Sequence, residues 1–552
     1  MHIRQRFVRL LVVLVPVAVL LGATVRGAAD SPITKAVKAG DLAAVRKLIA
    51  GRADVNAPSG DGSTPLLWAA HKSGVELARV LIAAGANVDV ANKYGITPLL
   101  EASRTGAVDM MDILLKAGAN PKRTHPECET PLMAASRAGS VSAVRLLLDR
   151  GADVNATDAF QKETALMWAS AEGHIDVVDA LLKAGANPNL KAHVTSITER
   201  KNADHPTGGF TALMWAARNG YEAVVQRLVK GGADVNLKNG DNASAAMVAM
   251  YNDRFDLAKV LWDLGADAND GSLYTAVEMR ESTTDQFAFD GSRLRPDHPN
   301  KLTSLDLIGI LLERGADPNK PFVGQFHSTS MPNGDRFNNT PFFRAAVASD
   351  VEALKLLIAH GADINQSPVG PPPAADADAE AEGGRGRGNP NAGKTAAMVT
   401  MTGGRGPQMT GGPGYIRSGP APYREPGSRK PLDAFVLLLK AGANPNAKGP
   451  DSSTLLHQAA AANNLDMIRA LADAKVDFKA TNKDGLTALD VAEGKRPAVA
   501  AAQGARGAAP PPAGGARGRG GRGAANPQDV AKLLRELMGL PAAPPAPAGE
   551  EK

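Results

Sequence analysis

Cysteine is almost absent: Cys128 is the single one in 552 residues. One thiol cannot close an intrachain disulfide, so the fold must hold by packing alone. Nothing around Cys128 gives reason to expect a stabilised thiolate, and it reads as a loop residue rather than a nucleophile. Aromatic residues are scarce at 4%, which excludes large aromatic-lined cores. No membrane-length apolar segment opens the chain. The run from Leu10 to Gly22 is shorter than the roughly 20 residues a bilayer span needs, and it contains Pro16.

The signatures of common active sites are missing as well. The sequence has no Gly-x-Ser-x-Gly elbow, no His-Glu-x-x-His, and no phosphate-binding Gly-rich loop before Lys-Ser/Thr. Gly393-Lys394-Thr395 looks like the end of such a loop, but its upstream glycine is misplaced and no buried strand precedes it. Thr395 is better read as a helix cap. None of the ten histidines forms a close metal pair. His193 and His205 share an insertion with Asp204, yet stand twelve positions apart in a loop. The expectation is therefore no catalytic residue, no metal and no cofactor.

What is present begins with a three-part leader: Arg4, Arg6 and Arg9, the short apolar run, then small residues through Gly27-Ala28-Ala29. This is the layout of a secretory signal peptide, with cleavage expected near Ala29 and no stable membrane span afterwards. The expected location is exported, periplasmic or secreted. The net charge of +5 includes four leader arginines and seven more (385, 387, 405, 506, 517, 519, 522) in Gly-rich stretches, leaving the rest at about −6. A folded body of that charge is not built to hold nucleic acid. The Arg-Gly stretches, such as Arg517-Gly518-Arg519, are similar to the flexible arms of RNA-binding proteins. No aromatics interleave with them, and a soluble spacer is the preferred reading.

Repetition then decides the architecture. A tripeptide Ala-(Asp/Asn)-x recurs with its alanine at 53, 86, 119, 152, 186, 233, 266, 316, 362 and 443, the first four positions spaced by 33. Upstream of it stand Thr64-Pro65-Leu66, Thr97-Pro98-Leu99, Thr130-Pro131-Leu132, Thr164-Ala165-Leu166, Thr211-Ala212-Leu213 and Thr340-Pro341-Phe342. Threonine caps a helix through its hydroxyl, and proline suits the first helical position, where its missing N–H is no loss. An Ala-rich first helix follows, then a glycine turn (Gly106, Gly139, Gly173, Gly220). The second helix has apolar residues at helical spacing, as in Val177, Val178, Leu181 and Leu182, and stops at a left-handed glycine: Gly85, Gly118, Gly151, Gly185.

This period with these signatures resembles the ankyrin repeat over most of residues 31 to 540. The resemblance implies an all-α solenoid of about twelve helix-turn-helix repeats, because neither helix of one unit can bury its apolar face alone. Capping positions are expected at Ser31, Thr64, Thr97, Thr130, Thr164, Thr211, Ser244, Ser272, Thr340, Thr395, Thr454 and Thr487. The first repeat departs from the family at Arg52, where a left-handed glycine is usual.

The expected organisation is a leader at 1–29, repeats over 30–367, a disordered insertion at 368–392, and repeats over 393–494 with an internal loop at 402–429. A disordered Arg/Gly/Pro-rich loop at 495–525, a closing helix at 526–540 and a disordered tail at 541–552 complete it. Further insertions are read at about 193–208 and 320–338, between repeats, and at 281–302, between the helices of one repeat.

The resemblance implies a protein–protein interaction scaffold or regulator, monomeric, that holds another protein on a concave face and its finger loops. Seven residues after each cap the family exposes a side chain on that face. Candidate contacts are His71, Lys72, Tyr94, Arg104, Arg137, Glu172 and Arg218, with Arg104 and Arg137 side by side for an acidic partner segment. Two other readings stay open: an enzyme or ligand site in the irregular 272–340 region, and binding of anionic surfaces or nucleic acid by the Arg-Gly arms. Met133, Met167, Met214, Met247 and Met398 recur at one repeat position and, with Trp68, Trp168 and Trp215 beside it, read as core or ledge packing.

Overall fold

The computed structural model describes residues 30–125, 129–194, 208–281, 300–322, 340–368, 393–401, 430–495 and 526–541. The expected leader, Cys128, Asp204, His205 and the Gly/Pro/Arg-rich stretches at 369–392, 402–429, 496–525 and 542–552 lie outside them.

Each hairpin starts where a short polar side chain can replace a missing helical partner. Ser31, Thr64, Thr97, Thr130, Thr164, Thr211, Ser244, Thr340 and Thr487 each accept the N–H three residues ahead, as Thr64 Oγ1 does from Leu67 at 3.3 Å. A cap of this type contributes about 1 kcal/mol. Pro32, Pro65, Pro98, Pro131 and Pro341 occupy the first turn.

Three expected caps differ. The helix at Ser272 begins on that residue, its N–H donating to Asp270 Oδ1 at 2.8 Å, while its own hydroxyl is buried without a hydrogen bond. The Thr395 hydroxyl is likewise buried and unbonded. At Thr454 the cap is shared with His457, whose Nδ1 lies 3.2 Å from the Thr454 N–H and 2.8 Å from its hydroxyl. Its Nε2 donates to the Leu486 carbonyl at 2.8 Å. An acceptor on one nitrogen and a donor on the other is the pattern of a neutral Nε2–H imidazole.

The chain divides into two units: Met1–Asp267 with Phe287–Asn300, and Ala268–Gln286 with Lys301–Lys552. In the first, the helices in order are α1 (Pro32–Ala39), α2 (Leu42–Ala50), α3 (Pro65–His71), α4 (Val75–Ala83), α5 (Pro98–Thr105), α6 (Val108–Lys116), α7 (Pro131–Arg137), α8 (Val141–Asp149), α9 (Ala165–Glu172), α10 (Ile175–Lys183), α11 (Ala212–Asn219), α12 (Glu222–Lys230), α13 (Ala245–Tyr251) and α14 (Phe255–Asp263). In the second they are α15 (Ser272–Glu281), α16 (Ser304–Glu313), α17 (Pro341–Ala348), α18 (Val351–Ala359), α19 (Ala396–Met401), α20 (Pro431–Lys440), α21 (Leu455–Ala461), α22 (Leu465–Asp473), α23 (Ala488–Ala492) and α24 (Pro527–Leu537).

Odd-numbered helices pack on odd and even on even within each unit, giving two layers with one apolar seam between them. Leu66, Leu99, Leu132, Leu166 and Leu213 of the first layer and Leu81, Leu114, Leu147 and Leu181 of the second are fully buried. Each such side chain contributes about 1.5–3 kcal/mol. Met133, Met167, Met214 and Met247 in the first unit and Met398 in the second are buried, each within its own unit. Among the described residues strand pairing is limited to isolated bridges such as Thr157 with Thr164.

Two features hold the register. The position after the second helix is left-handed, with φ +89° at Gly85 and +94° at Gly118, and Arg52 (φ 61°) and Lys475 (φ 59°) occupy it without being glycine. Beyond it, an asparagine ties each hairpin to the next. Asn56 Nδ2 donates to the Gly85 carbonyl at 3.3 Å, and its Oδ1 accepts from the Asn87 N–H at 2.8 Å. Asn155, Asn189, Asn236, Asn269, Asn319 and Asn365 make the same two bonds. Asn365 does so with Gly442 and Asn444, so the stack keeps its spacing across a long insertion.

Candidate functional site

Short first helices rich in alanine bring the ends of adjacent helices into contact, and a simple register results. The residue seven after one cap meets the residue four after the next. Lys38 Nζ lies 4.0 Å from the centre of the Trp68 ring and also binds Asp30 at 2.7 Å. His71 Nδ1 is 2.7 Å from Glu101 Oε1. The Arg137 guanidinium lies 5.2 Å from the centre of Trp168. In the second unit, Arg344 Nε and Nη2 donate to the two carboxylate oxygens of Glu278.

Trp68, Trp168 and Trp215 are half-buried, each with a cation over its ring. For Trp215 that cation is Arg218 of the same helix, at 5.3 Å, and Phe210 lies 5.1 Å away on another side. Cation–π pairs at such half-exposed positions contribute about 0.5–1 kcal/mol each. Both the core and the ledge readings of these tryptophans therefore hold in part: the ring edge is packed and the face is presented with charge.

Arg104 and Arg137 do stand side by side, but they are not bare. Both Nη2 groups donate to Glu129, from Arg137 at 3.2 Å. The pair consequently presents about one net positive charge instead of two, and the paired guanidinium contacts read from the sequence are already half spent. Glu129, 21% exposed and one residue before the Thr130 cap, was not among the sequence candidates. Its signal was the recurrence of glutamate just before the cap, at Glu129 and Glu163. Glu163 has no arginine of this kind. Burial, and then the neighbouring Asp158 carboxylate, push its carboxyl from 4.5 up to about 7.

The other candidates are dispersed. Lys72 is exposed at the end of α3, and Glu172 is exposed at the end of α9. Tyr94 is 64% exposed on a loop tip, held there by its N–H donating to Asn92 Oδ1 at 3.0 Å. His174, after the Gly173 turn, serves the stack: its Nε2 lies 3.1 Å from the Arg137 carbonyl, and its ring covers Gly139 so closely that a Cβ there would meet it at 2.7 Å.

In the irregular 272–340 region two ionisable side chains, Glu278 and Arg280, are paired with residues of the next hairpin. Glu278 pairs with Arg344, and Asp350 and Glu352 with Arg280. The described residues hold no group of three or more His, Cys, Asp or Glu side chains able to share a metal. No helix among them is long and apolar enough to cross a membrane.

The two-layer hairpins, the capping Thr-Pro and the tied loops have a counterpart in known sequences. Models of ankyrin repeats in three copies match residues 33–125, 121–192 and 194–272, one of many copies matches 438–492, and one of a single repeat matches 337–367. The chain belongs to the ankyrin-repeat family. Among solved structures, the human ASB11 ankyrin repeat domain is similar at 24% identity and a TM-score of 0.37, over 43% of this chain and 99% of that one. No curated protein matches the sequence. Ankyrin repeats generally serve as protein–protein interaction modules, and the half-exposed tryptophan and cation row is what this chain offers on its first-helix layer.

Proposed function

We propose that the chain is a protein-binding scaffold or regulator that holds a partner segment along the first-helix layer of its first unit. The supporting observation is the row of cation-bearing rings: the register sets Trp68 beside Lys38 and Trp168 beside Arg137, while His71 and Arg218 flank Trp68 and Trp215 from the same helix. Half-desolvated aromatic faces with fixed cations are the type of surface on which a few side chains carry most of a binding energy. Because Glu129 already neutralises part of the row, the partner that fits is a mixed segment, with an apolar or aromatic side chain on each ring and a carboxylate at the unspent guanidinium edges. Tyr94 flanks this row as a loop-tip contact.

Affinity capture from an extract of the source cells tests this, comparing the mature chain with Trp168→Ala and with the double variant Arg104→Glu/Arg137→Glu. Proteins retained by the wild type and lost from both variants support the row. A partner retained equally by both variants places the binding face elsewhere.

We also propose export, on the leader of Arg4, Arg6 and Arg9 with the apolar run that follows. N-terminal sequencing of the chain isolated from the extracytoplasmic fraction of its cells tests it: a new terminus near Ala29 supports export with cleavage, an intact Met1 in that fraction supports export with the leader kept as an anchor, and absence of the chain from that fraction refutes export.

A further inference from the structure

Within the first unit, one junction lacks the asparagine tie altogether. At the position of Asn56 and Asn155, the third hairpin carries Lys122. Its backbone keeps the register of the others: the Lys122 N–H donates to Asn120 Oδ1 at 2.9 Å, as Asn56 N–H does to Asp54 Oδ1 at 2.9 Å. The groups that the tie would have joined are present too. Elsewhere the amide oxygen accepts from the N–H two residues beyond the left-handed glycine, and the amide nitrogen donates to that glycine's carbonyl. Here these are the Asp153 N–H and the Gly151 carbonyl, and neither makes a hydrogen bond among the described residues. A lysine cannot take the amide's place, because an ammonium has donors only and the Asp153 N–H needs an acceptor. The Lys122 side chain is exposed.

A cavity of about 160 Å³ opens at this junction, lined by the apolar Leu132, Ala152 and Ala156 and by the polar Lys122, Thr124 and Asp153. We propose that the open junction beside this cavity, between the exposed Gly151 carbonyl and Asp153 N–H, is a binding subsite for a primary carboxamide, the side chain of an asparagine on a partner polypeptide. The molecule itself supplies the template, since seven of its own asparagines place this group between the same two backbone groups in neighbouring junctions. A carboxylate fits less well. Asp89 shows that it makes only the acceptor half, from the Asn120 N–H at 3.1 Å. In the gap it would also face the Gly151 carbonyl and the Asp153 side chain. This subsite rests on the reading that the chain binds protein, but it lies apart from the tryptophan and cation row.

The test is an NMR titration of the full chain, selectively labelled with ¹⁵N-aspartate, using N-acetyl-asparagine N-methylamide as the probe and N-acetyl-aspartate N-methylamide as the comparison. The Asp153 amide signal is assigned by its disappearance in Asp153→Asn. It shifts with the asparagine probe, whereas the amides of Asp234, Asp267, Asp317 and Asp363, already paired with the chain's own asparagines, do not. In Lys122→Asn the chain fills the gap itself and the shift is lost. In Lys122→Ala the gap stays open and the shift is kept. An Asp153 signal that does not move, that moves equally with the aspartate probe, or that still moves in Lys122→Asn overturns the proposal. A small probe needs no partner, so this result and the capture experiment succeed or fail separately.

Discussion

Arg280 and Asp350 form an ion pair whose side chains are only 1% and 2% exposed. Arg280 lies near the end of α15, and Asp350 is the residue that caps α18, accepting the Ala353 N–H at 3.2 Å. Arg280 Nη2 also donates to Asp350 Oδ1 and to Glu352 Oε2, at 3.0 Å each. One guanidinium thus ties a first helix to the turn of the next hairpin. Breaking a buried pair by removing one partner leaves an uncompensated charge and costs about 3–5 kcal/mol. Arg280→Ala is expected to lower the urea midpoint of the second unit accordingly. Arg280→Lys recovers little of it, because a single ammonium cannot reproduce the planar fork.

Arg52 and Lys475 pay for a left-handed backbone without the freedom of glycine, at φ 61° and 59°. At the same turn position the other hairpins use glycine, as at Gly85 and Gly118. A side chain there costs about 1–2 kcal/mol of local strain, against which glycine loses more entropy on folding. Arg52→Gly and Lys475→Gly should each therefore stabilise the fold by about 0.5–1 kcal/mol, read as a raised thermal midpoint. A drop in either would show that the long side chain packs usefully there.

The part of this structure that was legible in the sequence is the part written locally. Caps, first-turn prolines, turn glycines and apolar spacing each act within a few residues, and so the hairpins could be read one at a time. Arg52 was recognisable because a non-glycine at that place breaks a repeated rule, whereas Lys475 passed unnoticed in a hairpin whose Val476 disguises the tripeptide. The asparagine tie was not legible. Asparagine in that loop reads as a turn former, and only a neighbouring hairpin reveals that its amide reaches outward. Glu129 was missed for the same reason: side chains from two hairpins converge on it. Ser272 and Thr395 show the converse error, where a residue of capping type sits at the right place but its hydroxyl does not bond.

Glu163 makes the stability of the first unit depend on pH. Its folded-state value of about 7 lies above its ordinary 4.5, with burial as the larger cause and Asp158 as the smaller. Between those two values the folded chain holds a proton that the unfolded chain has released, so stability falls as pH rises from about 4.5 to 7 and stays lower beyond. The loss is at most about 3 kcal/mol. Glu163→Gln removes a proton-binding difference without changing shape. It should raise the urea midpoint at pH 8 and leave it nearly unchanged at pH 4, flattening the profile. Equal effects at both values would mean that the carboxyl is solvated when the chain is folded.

The final helix closes the apolar seam, and packing rather than charge decides its worth. In α24, Val530 and Leu534 are fully buried, and the helix packs on both α22 and α23. Arg535 also reaches Glu493, with Nε donating to Oε1 at 2.9 Å, but both side chains keep about a fifth of their surface in water. A pair so exposed contributes about 0–1 kcal/mol, and Arg535→Ala should be nearly silent. Leu534→Ala removes wholly buried methyl groups and should cost about 2–5 kcal/mol. Deleting residues 526–541 uncovers the seam against α22 and α23, and in a stack where each hairpin leans on its neighbour the loss concentrates at that end. Hydrogen exchange should therefore rise sharply in α21 to α23 and hardly at all in α1 to α6. Unchanged exchange in α21 to α23 would mean that the terminal hairpin is stable without its second helix.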